Sequence, residues 1–293
     1  MTLSLVLPGL VAVAVGVSAG LYRWPMRPMA TIRVLSIIAA ITASTAFVVI
    51  ALATAGFFAR SAMVLALIKW CPLIPLHHEV GVFEGLIATA LLGAALMRIR
   101  GVVQQRRWAV AGTEGHRIQV LDTDQPIAYA APGNPGCVVV SNGLLGALDV
   151  RGRQVLFAHE RAHLHQNHHR YLLLGAIAVA VVPPLRPLVE QLRLATERAA
   201  DEAAVEAMEG DRELVAVSIA RAALATTDYA GTVGAFGGGS IPFRVNALLD
   251  EPLSARVTGT AMAITVAVAA ATVAASSVQL HHFVDLAGHI CGR

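Results

Sequence analysis

The sequence predicts a mainly α-helical membrane protein with four transmembrane helices and an α+β domain between the third and the fourth. Three observations carry this. Of 293 residues, 56% are hydrophobic and only 14% charged, whereas soluble domains are about one quarter charged. Four apolar runs reach the roughly 20 residues that a helix needs to cross a bilayer core. Between the last two of them, residues 101–256 have ordinary polar composition and are numerous enough for a compact domain.

The spans follow in order. Residues 2–22, 34–59 and 257–280 carry no charge, and residues 81–97 carry one, Glu84, near their start. The first run competes with a cleaved secretory signal, but it lacks a basic leading segment and is long for a signal's apolar region, so it reads as a retained anchor. Residues 1–100 thus form a membrane domain with three helices, residues 101–256 the polar domain, residues 257–280 the fourth helix and residues 281–293 a short external tail.

Arginine placement sets the orientation, since basic residues in short loops mark the cytoplasmic side. Arg23, Arg27 and Arg33 lie in or beside the first loop, and Arg98, Arg100, Arg106 and Arg107 follow the third span, against Arg60 and Lys69 in the second loop. The first loop and the polar domain are therefore expected in the cytoplasm and both chain ends outside. The same arginines account for the net charge of +3 without a nucleic-acid partner. Three dispersed cysteines, Cys71, Cys137 and Cys291, imply no disulfide framework.

Within the polar domain, residues 118–121, 127–131 and 137–141 read as short strands separated by Asp122-Thr123-Asp124 and Pro132-Gly133-Asn134-Pro135-Gly136. Helical spacing begins at Asn142 and runs through Val155, Leu156 and Ala162. Residues 171–182 are apolar but short for a span, which leaves a buried core helix or half of a re-entrant hairpin. A second long helix is expected over residues 188–208, ended by Gly210 and Asp211. The glycine run Gly237-Gly238-Gly239 reads as a flexible loop in preference to a lid.

The chemistry lies in Ala158-His159-Glu160-Arg161-Ala162-His163. Histidines at i and i+4 share one helix face, so His159 and His163 can bind one zinc ion, and Glu160 then lies beside the open position as general base. Catalytic zinc takes three protein ligands. Thirty-four positions after His163 stand Glu197 and Asp201, again at i and i+4. Glu197 is the expected third ligand, and Asp201 the expected partner of the other ring nitrogen of a ligand histidine. The competing reading is a solvated acidic face, since Glu202, Glu206 and Glu209 lie close by. His165, His168 and His169 are read as solvated or hydrogen-bonded at the helix end. A closed structural zinc site is the non-catalytic alternative, but it commonly uses cysteine, none of which lies near the motif, and it gives Glu160 no purpose.

The strings Ile127-Ala128-Tyr129-Ala130, Val138-Val139-Val140-Ser141-Asn142-Gly143-Leu144-Leu145 and Phe157-Ala158-His159-Glu160-Arg161-Ala162-His163 resemble the gluzincin domain of the BlaR/MecR family of bacterial membrane metallopeptidases. Arg244-Val245-Asn246-Ala247-Leu248-Leu249 extends the likeness, and Glu197 with Asp201 matches an element shared with the HtpX and CAAX-protease group. The resemblance implies a multi-pass protein of the bacterial cell membrane, embedded in the lipid bilayer. It further implies a cytoplasmic zinc endopeptidase that cuts a protein substrate, such as a DNA-binding repressor in a signalling pathway. Val138, Val139, Val140 and Ser141 would be the edge strand that pairs with the substrate. Only about a dozen residues follow the last span, so the extracellular β-lactam sensor of BlaR and MecR is not carried over. The HtpX-like alternative is quality control of membrane proteins.

Overall fold

The computed structural model describes residues 3–58, 81–110, 117–230 and 240–250. Three helices open the chain, α1 (Leu3–Leu21), α2 (Pro28–Phe58) and α3 (Val82–Val110). Strands β1 (Ile118–Leu121), β2 (Ala128–Ala131) and β3 (Cys137–Ser141) follow, then α4 (Asn142–Ala147), α5 (Val150–His165) and α6 (His168–Val181). A single 3-10 turn at Pro183–Leu185 leads into α7 (Arg186–Ala207), α8 (Arg212–Ala230) and α9 (Ile241–Leu249). Mainly helical architecture with a small sheet is what the sequence predicts. The expected fourth span at residues 257–280, the tail at 281–293 and the glycine run at 237–239 lie outside the described residues.

Two of the described helices are long and apolar enough to cross a bilayer, over Pro28–Phe58 and Val82–Arg106. With 31 residues, α2 is about 46 Å long and overshoots a core of about 30 Å. α1 adds 19 uncharged residues. It packs along α2, and the Thr42 hydroxyl donates to the Ala12 carbonyl across the pair at 3.2 Å.

Residues 171–182 resolve into half of a helical hairpin built into this bundle. Pro183-Pro184 turns the chain between α6 and α7, which pack on each other, because proline fits the first turn of a helix but not its interior. Leu185, Leu188 and Leu192 are completely buried and share one core with Ala19, Ile32, Leu35 and Ala39 of the first two helices. The polar region of the sequence is therefore not a separate packing unit: the amino-terminal half of α7 shares the core of α1 and α2. The first loop meets the later elements at the same end, where the Arg23 guanidinium lies 5.2 Å from the Phe243 ring centre on α9.

The sheet corrects one expectation. Strand order is β1-β3-β2, with β1 parallel and β2 antiparallel to β3. Val138, Val139, Val140 and Ser141 thus form the central strand, buried along its whole length and paired on both sides. They are not an edge and offer no backbone to a substrate. Ser141 works at a junction instead: its Oγ accepts from the backbone N–H of Ile127 at 2.9 Å and of Leu144 at 3.2 Å, tying β2 to the start of α4. Both β2 and β3 pack on α5. That helix is capped by Asp149, whose carboxylate accepts from Gly152 N–H at 2.7 Å, and is anchored by Val155 against Ala204, Val205 and Val215.

The approach of α1 to the hairpin depends on two glycines. A Cβ at Gly16 would lie 2.6 Å from a methyl of Leu185, and one at Gly20 would collide with the Leu188 backbone. At Gly93 a Cβ would meet nothing within 4 Å. Gly20→Val is expected to destabilise the bundle by about 1–3 kcal/mol or more, the range for overpacking, while Gly93→Ala is neutral. Thermal melts of the two variants in the same detergent check this, and equal melting temperatures would refute the close packing.

Candidate metal centre

Three elements converge on the motif. α5 contributes His159, Glu160 and His163, α7 contributes Glu197 and Asp201, and α9 contributes Arg244. The two imidazoles approach through Nε2 at 3.2 Å. Glu197 reaches both, with Oε2 3.6 Å from His159 Nε2 and Oε1 3.6 Å from His163 Nε2. Donors around a tetrahedral ion with bonds of about 2.0–2.1 Å stand about 3.3 Å apart. The separations found are close to that, and His159, His163 and Glu197 form a group that can hold a metal ion. Nothing needs to move far for them to share one.

Asp201 sits behind His159, with Oδ1 3.0 Å from Nδ1. This is a close ionic contact in which the ring N–H is not well aligned on the oxygen. The carboxylate is 1% exposed and its charge is answered by Arg244, whose Nε and Nη2 donate to Oδ2 and Oδ1 at 2.8 and 2.6 Å. The same guanidinium reaches Glu197 Oε2 through Nη1 at 3.1 Å. One arginine therefore holds both acidic residues of α7 in place. Reading the sequence gave Arg244 no role. Its signal is a lone charge in the mostly apolar helix Ile241–Leu249, since a buried arginine is rare without a partner.

Of the other expectations, Glu160 is buried beside the two histidines, where burial holds its carboxyl above the usual range. Glu202 is not solvated freely but forms a two-point pair with Arg212 at 2.7 and 3.0 Å. His168 is completely buried, and its Nδ1 lies 2.9 Å from Nδ1 of His163. Of the two expected states, solvated or hydrogen-bonded at the helix end, it takes the second.

Electrostatics divide the histidines. For His159, burial favours the neutral ring, but the contacts with Asp201 and Glu197 outweigh it and raise the pKa to about 10. Burial, together with the charge on His159, pushes His163 down to about 3. Glu197 is opposed by burial too, yet the two histidines and Arg244 hold it at about 2. Without metal, His159 thus carries the positive charge that the two carboxylates demand.

Residues 98–183 match peptidase family M48. The matched stretch begins near the middle of α3, takes in His159, Glu160 and His163, and ends before Glu197. A protein described as a protease HtpX homolog, from Acidiphilium cryptum, is 43% identical over 56 residues, 18% of this chain and 20% of that protein. The chain therefore matches about one fifth of that relative's length. No solved structure matches the chain. These findings support a membrane metallopeptidase of the wider group that the sequence resembles, and they do not single out BlaR/MecR.

The charge pattern fixes the direction of a pH effect. A pKa raised to about 10 means that a proton on His159 competes with metal at every pH below that value, whereas Glu197 and His163 already have the forms that a metal requires. Loading a divalent ion at pH 7 should release close to one proton, and affinity should rise about tenfold per pH unit up to pH 9. Titration calorimetry in buffers of different ionisation enthalpy counts the protons. A count of zero would show that His159 is neutral in the metal-free protein.

Proposed function

We propose that the chain is a membrane-embedded zinc endopeptidase that cuts a protein substrate at the cytoplasmic face. The observation that carries this is the convergence of His159, His163 and Glu197 with Glu160 buried beside them. Zinc fits the donor set of two imidazoles and one carboxylate, and when bound it supplies a Lewis acid that polarises a carbonyl and acidifies water. Glu160, its proton affinity raised by burial, takes the proton of the attacking water and passes it to the leaving amine. Asp201 and Arg244 hold His159 and Glu197 in register throughout. Retention of a base that binds no metal favours this reading over a purely structural site.

The membrane supplies the approach. Leu188 of α7 lies against Gly20, close to the end of α1, and Glu197 stands nine residues further out, about 13 Å along the helix. A substrate is therefore met near the bilayer surface. The arginine pattern assigns that surface to the cytoplasm. The BlaR/MecR resemblance implies a DNA-binding repressor as the protein cut. Comparing protein fragments in cells that carry active or Glu160→Gln protein tests that substrate class against membrane proteins.

For backbone recognition, β2 takes the place that the resemblance implied for β3. Ser141 N–H donates to Ile127 O at 2.9 Å, so by the antiparallel alternation Tyr129 also points its backbone groups at β3, while Ala128 and Ala130 point theirs away. Among the described residues that outer edge is unpaired, and strand addition is a common mode of peptide capture.

Two outcomes follow. Glu160→Gln should keep near-stoichiometric zinc and lose cleavage by at least about a hundredfold, the usual contribution of a general base; elemental analysis and a gel-based cleavage assay decide, and undiminished cleavage would sink the mechanism. Ala130→Pro removes an outward N–H without touching the ladder to β3. It should raise KM for a protein substrate while zinc content and melting temperature stay at wild-type values, and an unchanged KM would exclude β2 as the docking edge.

A further inference from the structure

The surroundings of the second ligand histidine carry a further assignment. We propose that His168, itself held by Gln166, is a positioning residue that fixes the tautomer and aim of His163; this rests on reading His159, His163 and Glu197 as metal ligands.

The geometry leaves one proton arrangement. An imidazole that binds metal through Nε2 carries its proton on Nδ1. His163 Nδ1 lies 2.9 Å from His168 Nδ1, and two donors cannot face each other, so His168 accepts there. Its own proton then sits on Nε2, which lies 2.9 Å from Gln166 Oε1, an acceptor. The chain reads His163 Nδ1–H to His168 Nδ1, then His168 Nε2–H to Gln166 Oε1. His168 is 0% exposed, so solvent cannot take over its part.

Local structure puts the ring there. α5 ends at His165, Gln166 N–H bonds back to Ala162 O at 2.9 Å, and Asn167 adopts φ 54. Asparagine tolerates that left-handed conformation better than most residues. The chain changes direction at Gln166 and Asn167, and α6 starts with His168 edge-on to His163, ring centres 4.8 Å apart.

The two ligand histidines are thereby supported unequally. His159 faces a carboxylate neutralised by Arg244, whereas His163 faces a neutral imidazole backed by an amide. Only the first receives the added basicity that an anionic partner gives.

The test uses the full chain in detergent micelles, with Zn2+ affinity measured by chelator competition and the ligand field read from the visible absorption of the Co2+ form. His168→Leu fills the space without an acceptor. His168→Asn restores one, because its Oδ1 falls near the place of Nδ1. The leucine variant should bind Zn2+ about 10–100 fold more weakly with an altered Co2+ spectrum, and the asparagine variant should stay within about threefold of wild type. Wild-type affinity in His168→Leu, or equal losses in both variants, would overturn the proposal. Should the leucine variant fail to fold, a loss beyond tenfold in a folded His168→Asn overturns it alone. Failure of the wild-type protein to bind Zn2+ would instead overturn the metal reading on which the proposal rests.

Discussion

Glu197 and Asp201 stand one helical turn apart, Asp201 fully buried and Glu197 partly so, and two such carboxylates repel unless cations answer them. Arg244 answers both, through three short contacts that use every nitrogen of its guanidinium. Removing one partner from a buried charge group of this kind costs about 3–5 kcal/mol, because the remaining charge is left uncompensated. With one arginine against two acids, the group still lacks a positive charge. His159 supplies it by protonation in the metal-free protein, and a divalent cation can supply it in exchange for that proton. The attraction of the site for metal and the geometry that receives it thus have one origin.

That arrangement needs α5, α7 and α9 to meet: α5 packs directly on α7, and the core shared with α1 and α2 fixes α7. The hairpin from α6 through Pro183-Pro184 into α7 is seated between α1 and α2 by Leu185, Leu188 and Leu192. Glycines at positions 16 and 20 let the backbones come close enough for this. The amino-terminal half of α7 is buried against α1 and α2, which explains how Glu197 can be held in place although it is 34 residues from His163 in sequence.

Much of the centre was legible because its chemistry is local. A spacing of four residues on a helix puts His159 beside His163 and Glu197 beside Asp201, and zinc's need for a third ligand joins the pairs. Arg244 was not legible in the same way: it lies 43 residues beyond Asp201, and only folding shows which acids it faces. For His168 the sequence left solvated and hydrogen-bonded states open, and only folding shows that its partners are His163 and Gln166. The order of strands was also hidden, although one clue existed. Cys137 to Val140 is uninterrupted and apolar, the pattern of a strand covered on both faces, whereas an edge strand usually alternates. The helical hairpin was half visible, as an apolar run too short to span and ended by two prolines.

The central claim is that one metal ion is held by His159, His163 and Glu197. X-ray absorption at the zinc edge of the purified chain, compared with its Glu197→Ala variant, tests it most directly. The account predicts only nitrogen and oxygen neighbours at about 2.0–2.1 Å in the wild-type protein, and a clear loss of zinc occupancy in the variant. A sulfur neighbour at about 2.3 Å, or full occupancy without Glu197, would contradict it.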